Sequence, residues 1–172
     1  MGKSIGTQNG WLERKKIIIP TIQFRSLEEI EDRYQSNKVS LGIFKPKEIT
    51  KFIVEPDTAN WSNKHQDILS QLRLFETQPK FLEKIPFKFS YEFICSDKRC
   101  KGHKLSIIDW EIFELYRGIK KSYQYDMDVV LEKIKNKWFD AMWGPKRDSY
   151  LIVGTQYPNP TFMVLGVFWP PI

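Results

Sequence analysis

A single α+β domain, built on an antiparallel or mixed sheet with about four helices and a C-terminal hairpin, is the fold this sequence predicts. Three patterns predict it. In "PFKFSYEFIC" (86–95), Phe87, Phe89, Tyr91, Phe93 and Cys95 alternate with Lys88, Ser90, Glu92 and Ile94, the period of a strand with one buried face. Over 127–143, Val130, Ile134, Trp138 and Met142 recur every four residues as a helical stripe, which Gly144 and Pro145 stop. "SYLIVGTQ" and "TFMVLGVFW" then close the chain around "YPNP", a hairpin with a wide loop, because Pro158 and Pro160 cannot donate to a ladder. The elements follow no regular βαβ rhythm, so the class is α+β and not α/β.

At 172 residues the chain fits one domain, with 1–10 as a polar tail and 11–172 folded. "KKIIIP" (15–20) reads as a short strand ended by Pro20. In "RSLEEIEDRYQ" (25–35), Ser26 and Glu29 stand at capping-box spacing and open a helix. "LGIFKPKEITKFIVEP" (41–56) begins with a turn signal and mixes helix and strand tendencies. "SNKHQDILSQLRLF" (62–75) sets Ile68, Leu72 and Phe75 on one helical face. In "SIIDWEIFELYR" (106–117), Ser106 and Asp109 have capping-box spacing, which starts a helix at about Ile107 with Ile108, Ile112, Leu115 and Tyr116 sharing a face.

Composition narrows the function classes. Hydrophobic residues make up 41% and aromatics 15%, enough for a core and too much for a disordered chain. Lys and Arg exceed Asp and Glu by 27 to 21, a surplus that suits an anionic partner such as nucleic acid. Two cysteines exclude a disulfide scaffold. No apolar window has the length of a secretory signal or a membrane span, so a cytoplasmic location away from membranes is expected. P-loop, Rossmann, nucleophile-elbow and EF-hand patterns are missing.

"FICSDKRCKGHKLSIIDWEIFELYR" (93–117) concentrates the chemistry. It holds both cysteines, Cys95 and Cys100, and one of the two histidines, His103. Thiolate and imidazole donors at such short spacing suit Zn²⁺. Two other readings stand beside zinc, an ordinary buried Cys95 thiol and a Cys95–Cys100 redox pair. A closed zinc site needs a fourth ligand, for which His65, Asp109 and water are the candidates. With water there, the site would be open, and Glu111 or Asp109 would serve as general base. Those two carboxylates stand about 200° apart on a helical wheel, so helix capping is the stronger role for Asp109. Lys98, Arg99, Lys101 and Lys104 decorate the same loop and read as phosphate contacts or as a solvated turn.

The run "KIPFKFSYEFICSDKRCKGHKLSIIDWEIFELYR", with "SLGIFKPKEI" before it and "FMVLGVFWPP" after it, resembles a family of uncharacterised prokaryotic proteins. Its pattern is a Cys…Cys-x-Gly-His block, an Asp-Trp-Glu helix and a last strand ending in Pro-Pro. The likeness begins near Trp11, and Cys95, Cys100, Gly102, His103, Asp109, Trp110 and Glu111 correspond directly. His65 matches no part of the pattern, which moves weight toward Asp109 or solvent as fourth ligand. The resemblance implies an additional N-terminal segment in many members, which makes this chain either a short version or one half of a split arrangement, and it carries no activity. Three functions are therefore expected in order: a zinc-stabilised module contacting nucleic acid or a nucleic-acid-processing partner, a metal-dependent hydrolase or nuclease, and a subunit completed by a second chain.

Overall fold

Six strands form one mixed sheet in the computed structural model, which describes residues 24–37, 39–58, 84–123, 126–156 and 159–172. In chain order the elements are α1 (Leu27–Asn37), β1 (Leu41–Phe44), β2 (Glu48–Pro56), β3 (Phe87–Ile94) and β4 (His103–Ile107). They continue with α2 (Trp110–Ser122), α3 (Met127–Lys135), a π-helical turn (Asn136–Ala141), β5 (Tyr150–Gln156) and β6 (Asn159–Phe168). The order across the sheet is β1-β5-β6-β4-β3-β2. β1–β5, β5–β6 and β3–β4 pair antiparallel, whereas β4 and β6 run parallel at Ile107 and Val164. The α+β class and the C-terminal hairpin are as the sequence predicts, but the wide loop is not, since β6 takes in Pro160 and Gln156 already pairs with Asn159. The described residues hold three α-helices where about four were expected. The helix expected at 62–75 and the strand at 15–20 lie outside the described residues.

Two compact units divide the chain, Met1–Ile53 with Phe89–Ile172 and, separately, Val54–Lys88. In the smaller unit Asp57 N–H donates to Pro86 O at 2.8 Å, and the Asp57 carboxylate meets Lys84 at 3.1 Å and Lys88 at 3.4 Å. A hydrogen bond from the Thr58 backbone and then the Lys84 ammonium hold Asp57 below the usual carboxylate range.

The larger unit shows why its segments take their forms. Ser26 Oγ accepts from Glu29 N–H at 3.3 Å, and Glu29 accepts from Arg25 N–H at 2.8 Å, so the expected cap opens α1. Leu27 and Ile30 bury the inner face of that helix, and Ile30 lies where a Cβ on Gly42 would stand. That close approach seats α1 on β1. The strand β3 forms and Phe89, Tyr91 and Phe93 are all 1% exposed or less, but Ser90 on the other face is buried too and Phe87 only half-buried. The ambiguous 41–56 segment resolves into two strands joined by a turn at Lys45–Lys47.

The four-residue stripe ends in a π-helical turn. A spacing of four on a helix of 3.6 residues per turn drifts by about 40° per step, or about 120° from Val130 to Met142. The wider turn at 136–141, marked by Met142 N–H donating to Lys137 O at 3.2 Å, corrects that drift. Val130, Ile134, Trp138 and Met142 are consequently all buried. Tyr91 OH donates to Trp138 O, and Ser149 OH donates to Met142 O, tying this turn to the sheet. Gly144 ends it because a Cβ there would stand 2.9 Å from Asp140 O.

One boundary moves. Ser106 and Ile107 belong to β4, and the next helix starts at Trp110, after Asp109. Ile108 is therefore not on the helical face; it is 40% exposed, and its N–H donates to Val164 O at 2.9 Å. Ile112 and Tyr116 do form the buried face of α2.

Candidate metal centre

Four side chains converge where α1 meets the β3–β4 loop. Glu28, Cys95, Cys100 and His103 each offer a ligand atom, all within 4.8 Å of one another, so a metal ion fits the group. β3 delivers Cys95 from its end, on the buried side with Phe93. The loop then turns through Gly102, whose φ of +93° favours glycine over any side chain with a Cβ. That turn sends the chain back as β4, which begins at His103 opposite Phe93. The imidazole lies 5.2 Å from the Phe93 ring, centroid to centroid, and is thereby fixed in orientation. His103 thus opens a strand, where the sequence suggested a helix start just beyond it.

Backbone N–H groups point at both sulfurs. Leu27 N–H reaches Cys95 Sγ at 3.5 Å, while Cys95 N–H and Gly102 N–H reach Cys100 Sγ at 3.1 and 3.4 Å. Such donors favour thiolate over thiol and are the surroundings a thiolate ligand needs. Without an ion, burial pushes the Cys95 thiol up to about 12, and the Glu28 and Cys100 charges add to that. A thiol in that state is a poor nucleophile. The pair is free, with no disulfide, and Cys95 is buried while Cys100 is half-buried.

Glu28 is the residue sequence reasoning missed. It occupies the first turn of α1, where the helix dipole favours a carboxylate. Burial raises its pKa, but hydrogen bonds from its own backbone, His103, Cys100 and Ser26 outweigh that and hold it below the usual range. Glu28 Oε1 and His103 Nε2 share a hydrogen bond at 2.8 Å. The other oxygen, Oε2, is buried with no hydrogen-bond partner among the described residues. A buried carboxylate oxygen without a partner, on a residue grouped with two sulfurs and an imidazole, is what an ion would satisfy. The donor set fits zinc.

The remaining expected site residues fall elsewhere. Asp109 and Glu111 are outside this group. Asp109 caps α2, accepting from Glu111 N–H at 2.7 Å, and Gly166 leaves room for its carboxylate, since a Cβ there would stand 3.1 Å from Oδ2. Burial raises the Asp109 pKa, partly offset by the Glu111 N–H. Asp109→Ala should cost about 1 kcal/mol in urea unfolding, with Asp109→Asn near neutral because Asn caps equally well. A loss under about 0.3 kcal/mol in the Ala variant would remove the capping role. His65 lies outside the described residues.

On the loop, Arg99 bonds Asp32 at 2.9 Å and Asp97 at 3.0 Å, so its charge is committed within the protein. Lys98, Lys101 and Lys104 are exposed beside it. Further along, Tyr123 is covered on one face by Lys133, whose ammonium is 4.5 Å from the ring centroid.

No described helix is long and apolar enough to cross a membrane. The profile of a family described as a domain of unknown function, DUF8757, matches residues 23–172, so the chain belongs to that family. No curated protein and no solved structure gives a significant match.

Proposed function

We propose that this member of the DUF8757 family is a zinc-stabilised binding module. The observation that carries the reading is the meeting of Glu28, Cys95, Cys100 and His103 from two parts of the chain, 75 positions apart at the Glu28–His103 contact. Two sulfurs, one imidazole and one carboxylate match the donor preference of zinc better than that of calcium or magnesium, which take oxygen alone. Four protein ligands complete a tetrahedron, and a closed shell is the mark of a structural rather than a catalytic ion. When bound, the ion supplies a cross-link between the start of α1 and the β3–β4 loop. Asp109 and Glu111 stand apart from the donors, so a hydrolytic role for them gains no support from the cluster.

Binding to nucleic acid extends the same reading. It is supported by the net charge of +6 and by Lys98 and Lys101 on the loop that the ion would hold. Arg99 is subtracted from that surface by its two carboxylates. The test has two arms. Elemental analysis of protein purified without chelator or metal resin should find about one zinc per chain, lost in Cys100→Ser. Anisotropy with a labelled single-stranded oligonucleotide should show salt-sensitive binding, weakened about tenfold by Lys98→Gln with Lys101→Gln. Absence of zinc overturns the metal half, and salt-insensitive or absent binding overturns the nucleic-acid half.

A further inference from the structure

None of the four donors lines a second concavity in the larger unit. A cavity of about 420 Å³ opens between the β1–β2 turn and the segment after the π-helical turn. Lys45, Lys47 and Arg147 bring three cations to its wall, and Phe139 and Trp143 bring two aromatic rings. Its volume lies within the range of about 300–1,000 Å³ that small-molecule sites occupy. We propose that this cavity binds a small aromatic anion, a flat ring bearing a phosphate, of the nucleoside-monophosphate kind.

The cations divide by role. Lys45 is held by Asp148 at 2.7 Å. Lys47 and Arg147 form no ion pair among the described residues, which leaves their charge for a ligand. Arg147 stacks on the Trp169 ring with its guanidinium carbon 4.7 Å from the centroid. Stacking occupies the face of a guanidinium and leaves its N–H fork for a phosphate. Glu48 and Asp140 also line the wall, so with Lys45 paired to Asp148 the two remaining cations are matched by two carboxylates. A bare phosphate therefore gains little, and the ring must supply the rest of the affinity by packing on Phe139 and Trp143.

The walls are already in place. Lys47 N–H donates to Ile94 O at 2.9 Å, Arg147 N–H to Gly144 O at 3.0 Å and Asp148 N–H to Pro170 O at 2.9 Å. Arg147 also bridges Pro171, so the terminal Pro-Pro braces the residue that would meet the anion. A wall fixed before binding loses little entropy on binding. Phe139 and Asp140 belong to the π-helical turn, a distortion that recurs at functional sites.

Calorimetric titration of the full chain with AMP, with phenyl phosphate and with inorganic phosphate tests the site, independently of the metal centre. One molecule of AMP or phenyl phosphate per chain should bind saturably, with inorganic phosphate at least about tenfold weaker. Lys47→Gln and Arg147→Gln should each weaken the ring-bearing probe by about tenfold, and Lys121→Gln, exposed at the end of α2, should leave it unchanged. Should Arg147→Gln melt the fold, Lys47→Gln decides. Failure of both ring-bearing probes to saturate, phosphate binding as tightly as they do, or indifference to Lys47→Gln overturns the proposal.

Discussion

Chelation of the zinc-loaded protein should lower its melting temperature by about 8–16 °C. The estimate follows from mass action. An ion present at a thousand times its Kd stabilises the folded state by about 4 kcal/mol, and each kcal/mol moves Tm by about 2–4 °C in a chain of this length. Calorimetry on protein with and without chelator checks it. Cys100→Ser and Glu28→Gln should melt near the chelated wild type and respond no further to chelator. Acid should release the ion. In the metal-free protein burial pushes the Cys95 thiol up to about 12, so at neutral pH binding must displace its proton. Affinity then rises with pH, by about tenfold per unit for each proton displaced. A melting temperature that ignores both chelator and Cys100→Ser would sink the zinc reading.

Trp138→Ala is the second large effect, an expected loss of about 3–5 kcal/mol. Trp138 is 0% exposed and sits where the π-helical turn passes over Tyr91. Removing the indole leaves a cavity in the core, and Tm should fall by about 6–20 °C. Trp138→Phe should cost less than half as much. Its ring fills part of the space, and it deletes an indole N–H that is buried without a partner among the described residues. Urea unfolding with an unchanged slope measures both. A cost below about 1 kcal/mol for the Ala variant would place Trp138 outside the core.

What the sequence made legible was local. The apolar residues Phe89, Tyr91 and Phe93 of β3 and the stripe from Val130 to Met142 needed only neighbouring residues to be read, and all are buried as expected. The step of four even held a clue to the π-helical turn, because an unbroken α-helix would have rotated Met142 out of the core. The centre was half legible for the same reason. Cys95, Cys100 and His103 share one loop, whereas Glu28 joins them only through the packing of α1 on the sheet. Its sole local trace was a spare acid, since Glu29 and not Glu28 completes the cap. The misplaced start of α2 has a plain cause. Ser106 and Asp109 carry capping-box spacing, but Ser106 pairs with Ser90 in the sheet, and tertiary pairing overrode the local signal.

The place of β6 governs how the molecule is made. It follows β4 and β5 in the chain, yet it lies inside the sheet, between β5 and β4. Until it emerges, β4 and β5 each present an unpaired edge, while β1 pairs with β5. Synthesis of β6 is therefore the step that joins β5 to β4. A chain cut short before Asn159 would expose two sticky edges to its neighbours and be prone to aggregate.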